Sequence, residues 1–388
     1  MIGKDVGKPS SADYTRRRRR MAKRTPLHCV HAKSAQMGEF AGFELPILYE
    51  GIIKEVLNTR KAASIFDVSH MGRFLVRGPG SADLLDRVTT AWASSLDLKQ
   101  GKYCLLCNEK GGVLEDAIVF RVGESSFLLV GNASRRDFDL GWLITQRGKF
   151  DAGVEDLSDS SLMLALQGPD SQERLQGVCN EDLSKIRRFR GEWAKILGKE
   201  AFVTRTGYTG EDGFEATFFS LDGAEKIWDG LIRAGFKPAG LGARDVLRIE
   251  AGLPLYGKEL SESVTPIDAG LGFAVAMEKG DFIGKEAILE IMRSGRRKFL
   301  VGIRMEEKGV PREGYPIFVD GEEAGEITSG TFSPTLGVGI GLGYSSRRLE
   351  VGSAVYVRVR GEPKMCKISR IPFYESSLRS KKENAMGK

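Results

Sequence analysis

The sequence predicts an α+β protein that ends in a small β-barrel or jelly roll. Up to about residue 292, segments with apolar residues at helical spacing alternate with short segments of strand-like alternation. Beyond residue 298, only short strand-like segments separated by turns remain. The chain has 388 residues, 41% of them hydrophobic, which is enough for two or three domains with their own cores.

The first α+β block is predicted between residues 50 and 145. Apolar residues at positions 52, 53, 56 and 57 indicate a helix, and alternating apolar residues from 66 to 76 indicate strands that end at the Gly-Pro-Gly of residues 78–80. A helix at 81–88, strands at 103–107, 113–122 and 127–131, and a helix at 133–145 are expected to follow. This order is typical of a ferredoxin-like module.

A second α+β block is predicted from about residue 151 to residue 289. It contains a strand at 162–166, a helix after 168–170, and helices at 224–234, 243–252 and 285–292. Between them lies the segment 205–215 (RTGYTGEDGFE), in which three glycines separate two apolar runs. This pattern predicts a tight hairpin whose outgoing strand begins with a carboxylate, Glu215. No internal repeat is apparent.

The last block is predicted to be entirely β. Strands are expected at 299–305, 316–319, 326–331, 338–344 and 355–360, with turns at 320–321 and 361–363. Short strands with regular turns favour a small closed barrel or a jelly roll.

The formal charge of +6 is concentrated in residues 1–24. These residues hold nine of the 58 Lys and Arg and two of the 52 Asp and Glu, so the rest of the chain carries 49 basic and 50 acidic residues. We therefore predict a disordered basic tail at 1–24 and a second polar tail at 377–388. An RNA-binding function would depend on the run Arg16 to Arg20 alone, so we expect no nucleic-acid partner.

The cysteines and the apolar runs exclude further classes of protein. No apolar run is long enough to cross a bilayer, and five scattered cysteines are typical of reduced thiols, so we expect a cytoplasmic protein with no membrane contact. Cys104 and Cys107 form a single CxxC, but there is no second pair and the chain has only three histidines. No metal site is predicted.

One acidic residue stands out in the predicted strand 113–122. Alternation along a strand places Asp116 on the same face as Leu114, Ile118 and Phe120, and places Glu115 on the opposite face. A carboxylate on an apolar face has a perturbed pKa, and such groups collect at functional sites. The alternative is a structural acid that accepts a hydrogen bond from a neighbouring amide.

Two other residues are notable for their places in predicted helices. Asn132 precedes the helix 133–145, where it could serve simply as an N-cap. Arg244 lies in the first turn of its helix, where a cation is mildly unfavourable, so a ligand or an ion pair is the more natural reason for it.

Five motifs in unbroken order make the chain, from about residue 25 to residue 374, similar to the T-protein (aminomethyltransferase) family of the glycine cleavage system. They are residues 66–72 (FDVSHMG), 111–116 (GGVLED), 205–215 (RTGYTGEDGFE), 238–245 (PAGLGARD) and 327–334 (ITSGTFSP). The resemblance implies a three-domain cloverleaf. Two interleaved folate-binding α+β domains would occupy residues 25–292, with the second block from about 151, and a barrel domain would occupy 298–376.

The resemblance also implies the reaction and its partners. Family members transfer the methylene of the aminomethyl group on lipoylated H-protein to tetrahydrofolate, and they release ammonia and dihydrolipoyl H-protein. The essential aspartate of the family corresponds to Asp116, where it would orient the folate nitrogen N10 with some general-base character. The residues expected to contact folate are Tyr103, Asn132, Tyr208, Glu215 and Arg244. Tyr374 and Arg379 are candidates for contact with the folate tail.

The chain departs from the family pattern at few points. Glu115 stands where an aspartate is commoner, and residues 1–24 have no counterpart. Iron–sulfur assembly factors of the same fold carry a cysteine in a Lys-Gly-Cys-Tyr stretch, whereas residues 279–284 here are KGDFIG. Folate-dependent demethylases of the same fold remain an alternative, because they differ mainly in the group that they offer to folate.

Overall fold

A computed structural model describes residues 22–295 and 298–376 of the chain. The helices in these ranges are α1 (His28–His31), α2 (Ile52–Lys61), α3 (Ser81–Val88), α4 (Arg136–Arg147), α5 (Ser171–Gln176), α6 (Ala224–Arg233), α7 (Leu241–Glu250) and α8 (Lys285–Ser294). Strands up to the middle of the chain are β1 (Lys23–Arg24), β2 (Gln36–Phe40), β3 (Phe43–Leu48), β4 (Ser64–Asp67), β5 (Gly72–Arg77), β6 (Gly101–Cys107), β7 (Val113–Gly123), β8 (Ser126–Gly131), β9 (Gly153–Asp156) and β10 (Leu162–Gln167). The remaining strands are β11 (Gly191–Ile196), β12 (Lys199–Thr204), β13 (Gly213–Phe218), β14 (Lys237–Pro238), β15 (Phe299–Met305), β16 (Pro316–Val319), β17 (Glu322–Ser333), β18 (Val338–Ser345), β19 (Ala354–Val359) and β20 (Glu362–Ser369).

The two α+β blocks are built from matching units that lie 90 residues apart. The strand, helix and strand β5, α3 and β6 begin at residues 72, 81 and 101, and their counterparts β10, α5 and β11 begin at 162, 171 and 191. The chain therefore contains an internal repeat that the sequence analysis missed. The visible signal is the Gly-Pro that follows the first strand of each unit, at residues 78–79 and 168–169.

The two repeat units exchange a strand with each other. The first sheet has the order β6-β7-β8-β5-β9, and the second has the order β11-β12-β13-β10-β4-β14. Strand β4 directly precedes the first unit but pairs with β10 of the second, while β9 directly precedes the second unit but pairs with β5 of the first. The exchange explains why the two blocks cannot be separated by one cut in the chain.

Each sheet has a core on its outer face, and the two sheets share a core between them. Helices α3 and α4 cover the first sheet, and α5 and α6 cover the second. The shared layer contains Phe66, Phe120, Met163 and Phe202, and the rings of Phe120 and Phe202 meet edge to face with centroids 5.8 Å apart. Each such ring buries a large apolar area, so this layer fixes the two sheets against each other.

The C-terminal strands form a closed six-stranded barrel of order β15-β18-β17-β16-β19-β20. Its barrel form is as predicted, but β17 is longer than expected and β20 was missed. The barrel meets the α+β region at α7: Arg248 Nη2 donates to Ser329 Oγ at 2.6 Å, and Glu250 Oε2 accepts from Thr335 Oγ1 at 3.0 Å. Helix α7 is therefore shared by the second sheet and the barrel.

The predicted tails lie largely outside the part of the chain that the structure describes. Lys23 and Arg24, the last two residues of the predicted tail 1–24, pair with β3. Residues 1–21, with the run Arg16 to Arg20, and the polar tail 377–388 lie outside the described residues. The domain boundaries inferred from the sequence stay predictions.

Candidate functional site

The predicted acid Asp116 is half-buried on β7 and is held by two other predicted site residues. Tyr103 on the neighbouring β6 donates its hydroxyl hydrogen to Asp116 Oδ2 at 2.9 Å. Asn132, at the end of β8, donates from Nδ2 to Asp116 Oδ1 at 2.8 Å. Both carboxylate oxygens are thus fixed from adjacent strands, which restrains the orientation of the carboxyl group.

The electrostatic environment of Asp116 favours an acid that titrates near neutrality. Burial raises the pKa of Asp116 to about 6, and the hydrogen bonds from Tyr103 and Asn132 act in the opposite direction. Burial likewise raises the pKa of the Tyr103 hydroxyl well above its usual value, with a further contribution from the charge of Asp116. Tyr103 therefore remains a hydrogen-bond donor at neutral pH.

The predicted hairpin is present, and it carries Tyr208 and Glu215 into the same region. Thr204 of β12 pairs with Glu215 of β13, and Gly210 at the tip has a φ of 80°, in the left-handed region that favours glycine. Glu215 is only 9% exposed, and its Oε2 accepts a hydrogen bond from Thr206 at 2.6 Å. The connection between the strands is the loop of residues 205–212, which carries Tyr208, while Glu215 lies on the outgoing strand.

Arg244 completes this second group of residues from α7. Its guanidinium lies over the ring of Tyr208, with Cζ 4.9 Å from the ring centroid, and its Nη1 is buried without a hydrogen-bond partner in the structure. Burial lowers the pKa of Arg244, while the charge of Glu215 acts in the opposite direction. A buried N–H group without a partner is costly, so this one is a natural donor to a ligand.

The two groups of predicted residues face each other across the layer between the sheets. Asp116 shares its strand face with Ile118 and Phe120, which belong to that layer. Tyr208 contributes to the raised pKa of the Tyr103 hydroxyl, and the charge of Asp116 contributes to the raised pKa of Tyr208, so each group lies within range of the charge of the next. The structure therefore brings all six predicted residues, Tyr103, Asp116, Asn132, Tyr208, Glu215 and Arg244, to one region.

Tyr374 contacts Arg60, a residue that binds the hairpin. Its ring stacks on Arg60, with Cζ 4.1 Å from the ring centroid, and Arg60 Nη1 donates to Thr209 O at 2.8 Å. The same guanidinium is paired with the buried carboxylates of Glu211 and Glu250. Tyr374 is thus linked to the hairpin through Arg60, and its contact with a folate tail stays a prediction. Arg379 lies outside the described residues.

Three sequence-based expectations near the site need correction. Leu114 packs in the outer core instead of sharing the face of Asp116, because a β-bulge opposite Cys107 interrupts the alternation. Asn132 occupies an N-cap position, but its side chain caps nothing and binds the two acids of β7. Glu115 and Asp116 therefore both pack against apolar side chains, one on each face of β7. Glu115 is fully buried, whereas Asp116 is half-buried.

The sequence analysis also missed functional candidates. His70, in the motif at 66–72, is buried with its Nδ1 unpaired in the structure, and burial together with the charge of Arg244 lowers its pKa to about 3. Asp139 is buried on α4, on the same helix face as Leu143. Helical spacing from Leu143 was a signal that could have identified Asp139.

The two cysteines of the CxxC are free thiols in the interior. Cys104 and Cys107 are buried, and burial raises the pKa of each thiol to about 12. Within residues 22–295 and 298–376, no group of three or more His, Cys, Asp and Glu side chains is arranged to hold a metal ion. No helix in the part of the chain that the structure describes is long and apolar enough to cross a membrane.

Comparison with known proteins gives matches along nearly the whole chain. The GCVT N-terminal domain matches residues 27–279, and the glycine cleavage T-protein C-terminal barrel domain matches residues 298–375. An aminomethyltransferase of Rubrobacter xylanophilus is 44% identical over 94% of this chain and 98% of its own length. An aminomethyltransferase of Caldanaerobacter subterraneus is 42% identical over 92% of this chain and 97% of its own.

A solved structure agrees with these matches. The crystal structure of glycine cleavage system aminomethyltransferase T from Bartonella henselae superposes with a TM-score of 0.86 at 34% sequence identity. The superposition covers 92% of this chain and 99% of that chain. The similarity therefore includes the two sheets, the barrel and the region between them.

Proposed function

The chain belongs to the glycine cleavage T-protein family, and from this premise we propose how its site carries out aminomethyl transfer. The protein is a transferase with the T-protein function in the glycine cleavage system. The proposed reaction moves the methylene of an aminomethyl group, carried by lipoylated H-protein, to tetrahydrofolate and releases ammonia. The observation that supports this site most directly is the carboxyl group of Asp116, held between Tyr103 and Asn132.

The polar groups opposite Asp116 fit a folate. The pterin ring of folate is planar and rich in N–H groups, and a carboxylate such as Glu215 binds such an edge through paired hydrogen bonds. The unpartnered Nη1 of Arg244 is a donor for a carbonyl or carboxylate oxygen of the same molecule. The ring of Tyr208 gives a flat apolar surface beside both. We therefore assign folate recognition to Glu215, Arg244 and Tyr208.

The proposed role of Asp116 follows from its charge and its restraint. Bound tetrahydrofolate supplies the nitrogen nucleophile that accepts the methylene. At neutral pH Asp116 is mostly ionised, because its pKa lies at about 6, and its oxygens are already oriented by Tyr103 and Asn132. An oriented carboxylate can stabilise positive charge that develops on the attacking nitrogen and can accept its proton. Holding the reactants in line supplies much of the remaining rate.

A reconstituted assay tests the proposed function. We expect the purified protein, mixed with aminomethylated H-protein and tetrahydrofolate, to release ammonia and form methylenetetrahydrofolate in equal amounts. Parallel reactions omit the folate or replace H-protein with a free methylated amine. Turnover of the methylated amine without turnover of H-protein would identify a demethylase and contradict the proposal. Release of ammonia at the same rate without folate would contradict the assignment of the co-substrate.

A further inference from the structure

Glu115 lies directly beneath the site, and no role has yet been assigned to it. Its side chain is fully buried on the face of β7 that meets α4. Its Oε1 accepts two hydrogen bonds from Asn132, one from the backbone N–H at 2.6 Å and one from Nδ2 at 2.7 Å. Its Oε2 is buried and has no hydrogen-bond partner. One oxygen of this carboxyl group therefore accepts two hydrogen bonds, and the other oxygen accepts none.

Asp139 of α4 supplies a second buried carboxyl group at the same place. Both acids lie against the Cα of Gly131: a Cβ built there would lie 3.0 Å from Asp139 Oδ2 and 3.2 Å from Glu115 Oε1. Asp139 is 1% exposed, and both of its oxygens are buried without a donor. A side chain larger than glycine at position 131 would need the space beside these two carboxyl oxygens, so the placement of both acids depends on this glycine.

The two acids need a shared proton. Two buried carboxyl groups side by side cannot both ionise, because their charges repel at short range in a medium of low polarity. Burial, the charge of Asp139 and the charge of Asp116 raise the pKa of Glu115 well above its usual range. Burial raises the pKa of Asp139 to about 8, although Arg135 acts in the opposite direction. Both shifts favour a protonated carboxyl group in this pair, and a protonated acid carries the O–H donor that the unpartnered oxygens lack.

Asn132 connects this pair to the site. Its Nδ2 donates both to Glu115 Oε1 and to Asp116 Oδ1, at 2.7 and 2.8 Å, so one amide group is shared by the two acids. Its backbone N–H is also bound by Glu115. We propose that Glu115 and Asp139 form a proton-sharing pair that fixes the amide of Asn132 and thereby positions Asp116. This proposal depends on the proposed role of Asp116 in aminomethyl transfer.

The pair loses its positioning function when it loses its last proton. Two adjacent charges then repel, and Glu115 can no longer hold Asn132 in one orientation. Other charged or titratable groups on the neighbouring elements also act on this equilibrium: Cys104 on β6, Asp116 on β7, Arg135 before α4, and Tyr256 after α7. Of these, Asp116 favours the protonated pair and Arg135 favours the ionised one.

Substitutions at Glu115 test the positioning role. Glu115→Gln keeps an oxygen that accepts from Asn132 and adds an N–H that donates to Asp139, so it imitates the protonated acid. We expect its kcat to stay within about threefold of wild type, whereas Glu115→Ala should lower kcat by about 10- to 100-fold with a nearly unchanged KM for folate, because small misplacements of a catalytic group are costly. An alanine variant with wild-type kcat, or a glutamine variant as slow as the alanine variant, would overturn the proposal.

The pH profile supplies a measurement that a purely structural role would not change. We expect the kcat of the wild type to fall at alkaline pH, above the pKa of about 8 of Asp139, once the pair has lost its last proton. Glu115→Gln and Asp139→Asn each leave a single acid, so loss of its proton creates no two adjacent charges, and neither variant should show the fall. Asp137→Asn, an exposed change on the same helix, is the control and should keep it. Identical alkaline limbs in all four proteins would overturn the proposal.

The outcome is separable from that of the proposed function. A fully active Asp116→Asn variant would remove the basis of the site assignment itself. A slow Asp116→Asn variant together with wild-type behaviour of every Glu115 and Asp139 variant would leave the site assignment intact and reject only the proton-sharing pair. Circular dichroism and melting temperature are measured on each sample, and Glu115→Gln with Asp139→Asn gives the test even if the alanine variant does not fold.

Discussion

At the scale of single residues, the pKa of Asp116 predicts the pH dependence of the reaction. Burial raises this pKa to about 6, and only the ionised carboxyl group can stabilise positive charge or accept a proton. Below pH 6 the group is mostly protonated, so we expect kcat to rise with pH through about 6 and then level off. The measurement is ammonia release between pH 5 and pH 8. A rise of kcat centred near pH 4, the usual pKa of aspartate, would contradict the effect of burial.

The residues opposite Asp116 predict a loss of binding rather than of chemistry. Glu215→Ala and Arg244→Ala each remove polar contacts worth about 1–3 kcal/mol, so we expect folate affinity to fall by about 5- to 150-fold. The binding is measured by titration with tetrahydrofolate, and the control is Asp229→Ala, an exposed acid on α6. Unchanged affinity in both site variants would show that these residues do not bind folate.

At the scale of elements, α7 joins the site to the barrel. Arg244 faces the site from the beginning of this helix, and Arg248, one turn later, donates from Nη1 to the buried carboxylate of Glu259 at 2.8 Å. Glu259 is held in turn by Thr328 of β17. The position of the guanidinium of Arg244 is therefore tied to the packing of the barrel on α7.

This arrangement predicts a large effect of removing the buried cation. Arg248→Met leaves the carboxylate of Glu259 buried without a cation. We therefore expect the free energy of unfolding to fall by about 3–5 kcal/mol. Arg347→Met breaks a comparable pair with Glu322 that is exposed on the barrel, and we expect a loss of at most about 1 kcal/mol. Urea unfolding of both variants is the measurement. Equal losses would show that burial does not determine the value of these ion pairs.

Some elements were predictable from sequence, and others were not. The helix Ser81–Val88 and the strand Phe299–Met305 have the predicted bounds, because each carries its own apolar periodicity. The strand Gln36–Phe40 has no buried residue, and Glu362–Ser369 buries only two, so neither carries a long apolar pattern of its own. Such strands form because a neighbouring strand offers hydrogen bonds, and that information is not local.

The site shows the same division between local and non-local information. Asp116 was identified by alternation and by the family motif, and its neighbours Tyr103 and Asn132 by the resemblance. The proximity of Asp139 to Glu115 could not be found in this way, since the two acids lie on different elements and come near each other at Gly131. Long-range contacts between two acids leave no periodic pattern in the sequence.

At the scale of the whole molecule, the charge distribution predicts that the basic tail is dispensable. Tyr103 is the first of the six predicted site residues along the chain. Residues 1–20 hold seven of the basic residues but none of the five family motifs. We expect a protein that lacks residues 1–20 to keep the wild-type rate of ammonia release within about twofold. A tenfold loss at equal melting temperature would show that the tail takes part in turnover.

The most direct test of the whole account is ammonia release by Asp116→Asn. Asparagine keeps the size of the side chain and much of its hydrogen bonding to Tyr103, but it removes the charge. We expect kcat to fall by about 100-fold or more, within the usual range of general acid–base contributions, while folate affinity and melting temperature change little. If the melting temperature falls and ammonia release stays near the wild-type rate, Asp116 is a structural acid, and the account of the site is wrong.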